Sequence, residues 1–251
     1  MEVFIIIFIL SKKHIYFFIL IIILIFIVLN SFVNGSSDED IPYLKYESTE
    51  KKAYLTFDDG PTKSTTPKIL DILKNNYINA TFFVVGKNVE ANPDIIKRSY
   101  NEGNFIANHT YSHQNNILYQ DEETFLSEIE KTDLIISKAI NKKNYSSKLF
   151  RFPNGFSSNN YHYEKEKACK YLNSINYHFI DWNCTLEDST YKLSNYELMQ
   201  NLKNSSKGKG TLVILMHDSG YVNKTDEILQ DVINYLKYNG YSFHTLNELI
   251  F

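Results

Sequence analysis

The chain has 251 residues, with 26 Lys and Arg against 29 Asp and Glu, and a formal net charge of −3. A chain with no basic excess lacks the electrostatic footprint of a polyanion binder, which excludes nucleic acid as a main partner. Its two cysteines, Cys169 and Cys184, match no metal or redox spacing and leave open either one disulfide in an exported domain or two buried thiols.

The amino terminus is not part of the soluble domain. Residues 3–10 are apolar, Lys12-Lys13-His14 interrupt them, and an unbroken apolar run follows from Ile15 to Leu29. A charged flank before an apolar core is a targeting signature, and the run has no polar face for a buried amphipathic helix. Lys12 and Lys13 would stay inside, so the rest of the chain is expected outside. Ser31-Phe32-Val33 can lengthen the span, and Val33-Asn34-Gly35 offers a signal peptidase a place to cut. Residues 1–33 are therefore read as a hydrophobic helix acting as membrane anchor or, if cleaved, as signal peptide, with the anchor favoured. Cleavage would give a secreted protein instead of a membrane-anchored one with an extracytoplasmic catalytic domain. Residues 34–50, polar and acidic through Ser36 to Asp40, read as a linker, and residues 51–251 as one domain with a full-size core.

In that domain, Tyr54-Leu55-Thr56-Phe57 runs straight into Asp58-Asp59-Gly60-Pro61. A short apolar run ended by turn residues is a buried strand, here with two carboxylates at its carboxyl end. Because side chains alternate along a strand, the two acids are expected to point apart and to hold different jobs. Thr66-Pro67 opens a helix reaching about Asn76. Ala80–Val85 is a strand closed by Gly86, Pro93–Tyr100 a helix, and Asn104–Ala107 a short strand. Asp121–Ile140 has the period of an amphipathic helix, with Phe125, Ile129, Leu134, Ile135 and Ala139 inward. Leu149–Phe152 is a strand ended by Pro153-Asn154-Gly155, Glu164–Ser174 a helix, and His178–Asn183 a strand. Asn195–Asn204 is helical, Thr211–Met216 the most apolar strand, Thr225–Tyr238 a helix, and Tyr241–Thr245 a last strand. Strand and helix alternate about seven times, which predicts an α/β fold, a parallel sheet or barrel of βα units. Ligands gather at the carboxyl ends of such strands.

Polar residues stand at those ends. After the third strand come His109 and His113, four apart, which on a helical turn share a face and can grip one cation. With the Asp58-Asp59 pair they give an Asp/His/His set that leaves positions open for water and substrate. Arg151 ends the fourth strand and would orient a nearby carboxylate. Asp181 to Asp188 follow the fifth, and Val213-Ile214-Leu215-Met216 leads into His217-Asp218. A His near a carboxylate is the group best suited to deliver a proton near neutral pH.

TFDDGP at 56–61, HTYSH at 109–113, RFPNG at 151–155, the segment ending in Asp188, and LMHD at 215–218 resemble, in order and spacing, the motifs of polysaccharide deacetylases. These are the NodB-homology enzymes of carbohydrate esterase family 4, and the match spans about residues 50 to 250. The resemblance implies a distorted (β/α) barrel with fewer than eight regular units. It implies that Asp59, His109 and His113 bind a divalent metal, zinc first and cobalt or others next, and that Asp58 is the general base. It implies that a backbone N–H of the RFPNG turn, that of Asn154, stabilises the oxyanion, and that His217 protonates the departing amine. Arg151 would position Asp58, and Asp188 would pair with His217. Two motifs depart from the family pattern: Phe152 and Asn154 stand where a Pro and a Tyr are usual, and Asp188-Ser189 where Asp-Trp is common. The backbone donor survives the first change and an aromatic contact to substrate does not; Trp182 is a substitute for lining the groove. These variants resemble the peptidoglycan deacetylases of low-GC bacteria.

The leading expectation is a membrane-tethered, metal-dependent enzyme that removes N-acetyl groups from N-acetylglucosamine residues of a cell-envelope polysaccharide, peptidoglycan first and chitin or chitooligosaccharide next. A catalytically silent glycan-binding module on the same fold is the alternative, disfavoured because base, ligands and acid are all present. A glycosidase using Asp58 and Asp188 as paired carboxylates ranks third. Nothing in the sequence bears on oligomeric state.

Overall fold

A computed structural model describes residues 19–25, 41–190, 193–220 and 225–251. The chain forms two units, Met1–Asp40 and Ile41–Phe251. In the first, residues 19–25 are helical, and the remainder of the expected 1–33 segment lies outside the described residues. No helix among the described residues is long and apolar enough to cross a membrane.

The second unit is built on one parallel sheet. Its strands are β1 (Lys52–Asp58), β2 (Thr81–Val84), β3 (Phe105–Asn108), β4 (Leu149–Phe150), β5 (His178–Phe179), β6 (Cys184–Thr185), β7 (Leu212–His217) and β8 (Ser242–His244). The order is β5-β4-β3-β2-β1-β7-β6, with β8 paired to the first half of β1 at Lys52–Tyr54 while β2 pairs with the second half at Thr56–Asp58. The sheet is curled and open, a half-barrel instead of a closed ring: among the described residues β5 and β6 do not pair. The helices packed on it are α1 (Thr66–Asn75), α2 (Gly86–Ala91), α3 (Pro93–Asn101), α4 (Asn115–Leu118), α5 (Glu122–Ala139), α6 (His162–Ser174), α7 (Asn195–Ser206) and α8 (Thr225–Tyr238).

Pleating divides the core. Ala53, Leu55 and Phe57 of β1 face the helix layer with Ile69, Leu70, Ile214 and Leu229, whereas Tyr54 packs inside the curl with Phe83, Ala107, Leu149 and Val213. Both faces are covered, so the central strands read as nearly continuous apolar runs. A third cluster, Phe125, Phe150, Phe152 and Phe179, fills the space under α5 and α6.

Several local expectations are corrected. The strand expected over 178–183 stops at Phe179, where the carbonyls of Ile180 and Asp181 accept from the buried Arg151 guanidinium, and a separate strand follows at Cys184–Thr185. This raises the strand count to eight. Gly86 opens a short helix where only a strand end was expected. Leu134, expected inward on α5, is 53% exposed; the buried stripe is Phe125, Glu128, Ile129, Thr132 and Ile136. Residues 41–50, inside the expected linker, belong to the second unit: Leu44 N–H donates to Phe179 O, Phe179 N–H to Pro42 O, and Leu44 and Tyr46 are buried. Cys169 and Cys184 are both buried and free.

Candidate active site

Every proposed site residue stands at a strand end or in the loop after one. Asp58 ends β1 and lies opposite His217, the end of β7, in the parallel ladder. His109 follows β3 directly, and Arg151 follows β4. Parallel register therefore delivers residues more than a hundred positions apart to one rim.

Asp59 Oδ1 lies 3.4 Å from His109 Nε2 and 3.3 Å from His113 Nε2, and the two imidazole centroids are 4.8 Å apart. Donor atoms held tetrahedrally about 2.1 Å from a zinc ion lie roughly 3.4 Å from each other, so this set fits a divalent cation. The fit extends outward. His109 Nδ1 donates to the carbonyl of Arg151 at 2.8 Å, which fixes the tautomer that leaves Nε2 to the site. Burial and the neighbouring His109 push His113 down to about 4, against the pull of Asp59 and Asp58, so its ring is neutral at pH 7.

Two expectations about this group fail in detail. Asp58 and Asp59 do not face apart: His109 Nε2 is 4.0 Å from Asp58 Oδ2 as well as 3.4 Å from Asp59 Oδ1. Strand alternation stops at Asp59, whose φ of 76° lies in the left-handed region. Nor do His109 and His113 share a helical turn. Their loop takes positive φ at Thr110 and His113, held from outside by Glu128 of α5, which accepts from the Tyr111 and Ser112 amides and the Ser112 hydroxyl. Thr110 Oγ1 accepts the His113 amide. Glu128 escaped the sequence reading, although a carboxylate inside an apolar helical stripe was a visible signal.

Arg151 is fully buried. Nη1 donates to Asp58 Oδ1 at 2.9 Å and to Thr56 Oγ1 at 2.7 Å, while Nε and Nη2 reach the Ile180 and Asp181 carbonyls. The Arg151 guanidinium lies 4.0 Å from the Phe83 ring centroid. Asp58 is thus fixed through Oδ1, with Oδ2 turned toward His109.

Across the rim His217 Nδ1 is 2.8 Å from Asp188 Oδ1, and the other carboxylate oxygen accepts from the His217 amide and the Thr225 hydroxyl. Burial works to lower the His217 pKa, but the Asp188 hydrogen bond and charge, helped by Asp58 and Asp59, outweigh it and bring it up to about 9. His217 is therefore a cation at neutral pH, with a proton it can donate. Thr225 has no signature in sequence. Asn154 sits at φ 63° in the exposed turn after β4, and among the described hydrogen bonds its amide is not a donor. Trp182 covers the Gly155 side of this turn, where a Cβ would lie 2.8 Å from the indole. A cleft of about 650 Å³ opens beside Asp59 and His113, with Lys63, Lys87 and Asn88 on its walls.

The rim thus carries an oriented carboxylate, an imidazolium paired to a second carboxylate, and a cation-sized Asp/His/His set that borders an open cleft through Asp59 and His113. The polysaccharide deacetylase family model matches residues 45–174, and the chain belongs to that family, carbohydrate esterase family 4 with the NodB-type fold. Its class of enzyme is the polysaccharide N-deacetylases. The chain is similar to a Bacillus cereus peptidoglycan-N-acetylglucosamine deacetylase, 33% identical over 89% of this chain and 82% of that protein. It is also similar to the peptidoglycan-N-acetylglucosamine deacetylase PgdA of Listeria monocytogenes, 31% identical over 85% of this chain but only 42% of that longer protein. Among solved structures, a peptidoglycan N-acetylglucosamine deacetylase bound to a hydroxamate superposes with a TM-score of 0.72 at 32% identity, covering 84% of this chain and 94% of that one. A Bacillus anthracis pseudoenzyme of the same family superposes at 0.69 with 25% identity, over 83% and 68%. The fold alone therefore does not guarantee turnover; the side chains on the rim decide it.

Proposed function

We propose that the chain removes acetyl groups from N-acetylglucosamine residues of peptidoglycan, with Asp59, His109 and His113 holding a divalent cation, zinc in the first instance. The observation that carries the chemistry is the division of labour on the rim: Asp58 is oriented by Arg151, and His217 is charged by Asp188. The cation would supply Lewis acidity toward the acyl oxygen and acidify the attacking water. Asp58 takes a proton from that water as its oxygen bonds to the acetamide carbon. The Asn154 amide donates to the oxygen that becomes negative. His217 gives its proton to the sugar nitrogen as the C–N bond breaks, which releases acetate and a free amine. Support for the polymer comes from the named substrates of the two relatives and from the hydroxamate-bound neighbour. The apolar run from Ile15 to Leu29 supports export, with the domain working outside the membrane as an anchored or secreted enzyme.

The test is acetate release from peptidoglycan glycan strands and from chitooligosaccharides, followed by mass spectrometry of the sugars. The expected result is loss of acetyl from glucosamine, with muramic acid untouched. Acetate from neither glycan, or release of new reducing ends, would overturn the reading.

A further inference from the structure

The turn that presents Asn154 is held by two buried charges that sequence reasoning left without a role. Lys165 on α6 is fully buried, and its Nζ donates to Gly155 O at 2.5 Å, to Ser158 Oγ at 2.6 Å and to Ser158 O at 3.4 Å. Burying an ammonium is costly unless it is closely compensated. Among the described ion pairs no carboxylate contacts it; burial draws its pKa below the usual ammonium range, and the charge that opposes this, through space, is Asp181. Asp181 in turn accepts from the amides of Phe156 and Ser157, at 2.8 and 3.0 Å, and from the Ser157 hydroxyl at 3.0 Å. The peptide group between Gly155 and Phe156 is thus gripped at both ends: its carbonyl by the cation, its N–H by the anion. The two charges compensate each other across that peptide, and its dipole lies along the field between them.

Just upstream, Gly155 N–H donates to Phe152 O at 2.8 Å and closes the turn around Asn154. Arg151 begins the same turn, and the Asp181 carbonyl accepts from its guanidinium. The Asn154 peptide is therefore flanked on one side by the group that orients Asp58 and on the other by the clamped peptide. An oxyanion donor is useful only where its position is fixed before the charge develops.

We infer that Lys165, acting with Asp181 through the Gly155–Phe156 peptide, is a positioning residue that aims the Asn154 amide at the reacting acyl oxygen. This rests on the proposed role of Asn154. Lys165 does not touch the substrate; it acts on how well the transition state is held. A Lys that served only to stabilise the fold would, once the folded fraction is counted, leave the rate per folded enzyme unchanged.

The experiment compares Lys165→Met with the unaltered metal-loaded enzyme on a chitooligosaccharide or peptidoglycan substrate that the latter deacetylates. Metal content and folded fraction are measured on the same samples. The expected result is a kcat at least about tenfold lower per folded, metal-loaded molecule with KM nearly unchanged, since loss of a whole oxyanion donor costs roughly 100- to 1000-fold. Affinity for a tetrahedral phosphonamidate analogue of the acetamide is expected to fall by the same factor as kcat. Asp181→Asn is expected to give a similar loss, and the double variant little more than either alone. Should Lys165→Met not fold, Lys165→Gln, which keeps a donor but not the charge, carries the comparison. An unchanged kcat per folded molecule, with any loss of total rate merely tracking the unfolded fraction, would overturn the inference while leaving the deacetylase reading intact. An unaltered enzyme that releases no acetate would remove that reading first.

Discussion

The adjacent acids Asp58 and Asp59 differ by partner, not by direction. Asp58 is tied to Arg151, Asp59 to the two imidazoles. Asp58→Asn is expected to lower kcat by about 1000-fold or more while metal stays near one per chain, whereas His113→Ala loses metal and rate together. Metal analysis beside the acetate assay separates the two, and equal metal loss in both would show that the division of the pair is wrong. In the proposed mechanism His217 sets the pH behaviour. Its raised pKa, about 9, puts the basic limb of kcat/KM near that value, because the acid must be protonated. Removing the Asp188 charge by Asp188→Asn should draw that limb down by roughly 1–3 pH units. The same shift is linked to stability. A histidine whose pKa is raised on folding contributes stabilisation that is complete below about 6.5 and is lost as pH rises to about 9. Denaturation midpoints across that window should fall more steeply for the unaltered protein than for His217→Gln. The identities of these residues were legible because short, dense motifs carry them. Two of the supports were not: Thr225 and Lys165 stand in helices whose burial only the fold reveals.

Among the elements, the strands were easier to foresee than their ends. β1, β2, β3 and β7 fall within a residue or two of expectation because their apolar runs are uninterrupted. The loops that do the chemistry take backbone conformations no periodicity encodes, such as the left-handed Asp59, Thr110, His113 and Asn154. Turn residues announced that the chain would break there, not how. The TFDDGP loop shows what such a loop demands. A Cβ on Gly60 would lie 2.0 Å from Asp218 Oδ2, and Asp218 is itself buried, its other oxygen without a partner among the described residues. Burial, with the charges of Asp59 and Asp58, pushes the Asp218 carboxyl up to about 7 against the hydrogen bond from Thr66. Gly60→Ala should therefore displace the turn, cost roughly 1–3 kcal/mol of stability and disturb the metal site as well. Thermal unfolding with and without metal checks this, and a variant of unchanged stability and metal content would contradict it.

For the whole molecule, the open side of the sheet is where the reading from sequence was weakest. A count of βα units gave about seven and a strand through 178–183; the half-barrel instead ends that strand at Phe179, beside the carbonyls that hold the Arg151 guanidinium, and adds a strand at Cys184–Thr185. A buried charge inside a curled sheet has no periodic signal. Arg151→Met would leave the Ile180 and Asp181 carbonyls and Asp58 without their cation, at a cost of roughly 3–5 kcal/mol. Chemical denaturation should register that loss alongside the loss of rate, and a variant as stable as the parent would show that the guanidinium does not brace the sheet.

One measurement reaches the centre of the account: zinc titration of chelator-stripped protein with acetate release followed in the same samples. The expected outcome is a single site per chain, with turnover rising in proportion to its occupancy, and no site in a variant lacking both His109 and His113. Full turnover by the stripped protein, or unchanged zinc binding in that variant, would contradict it.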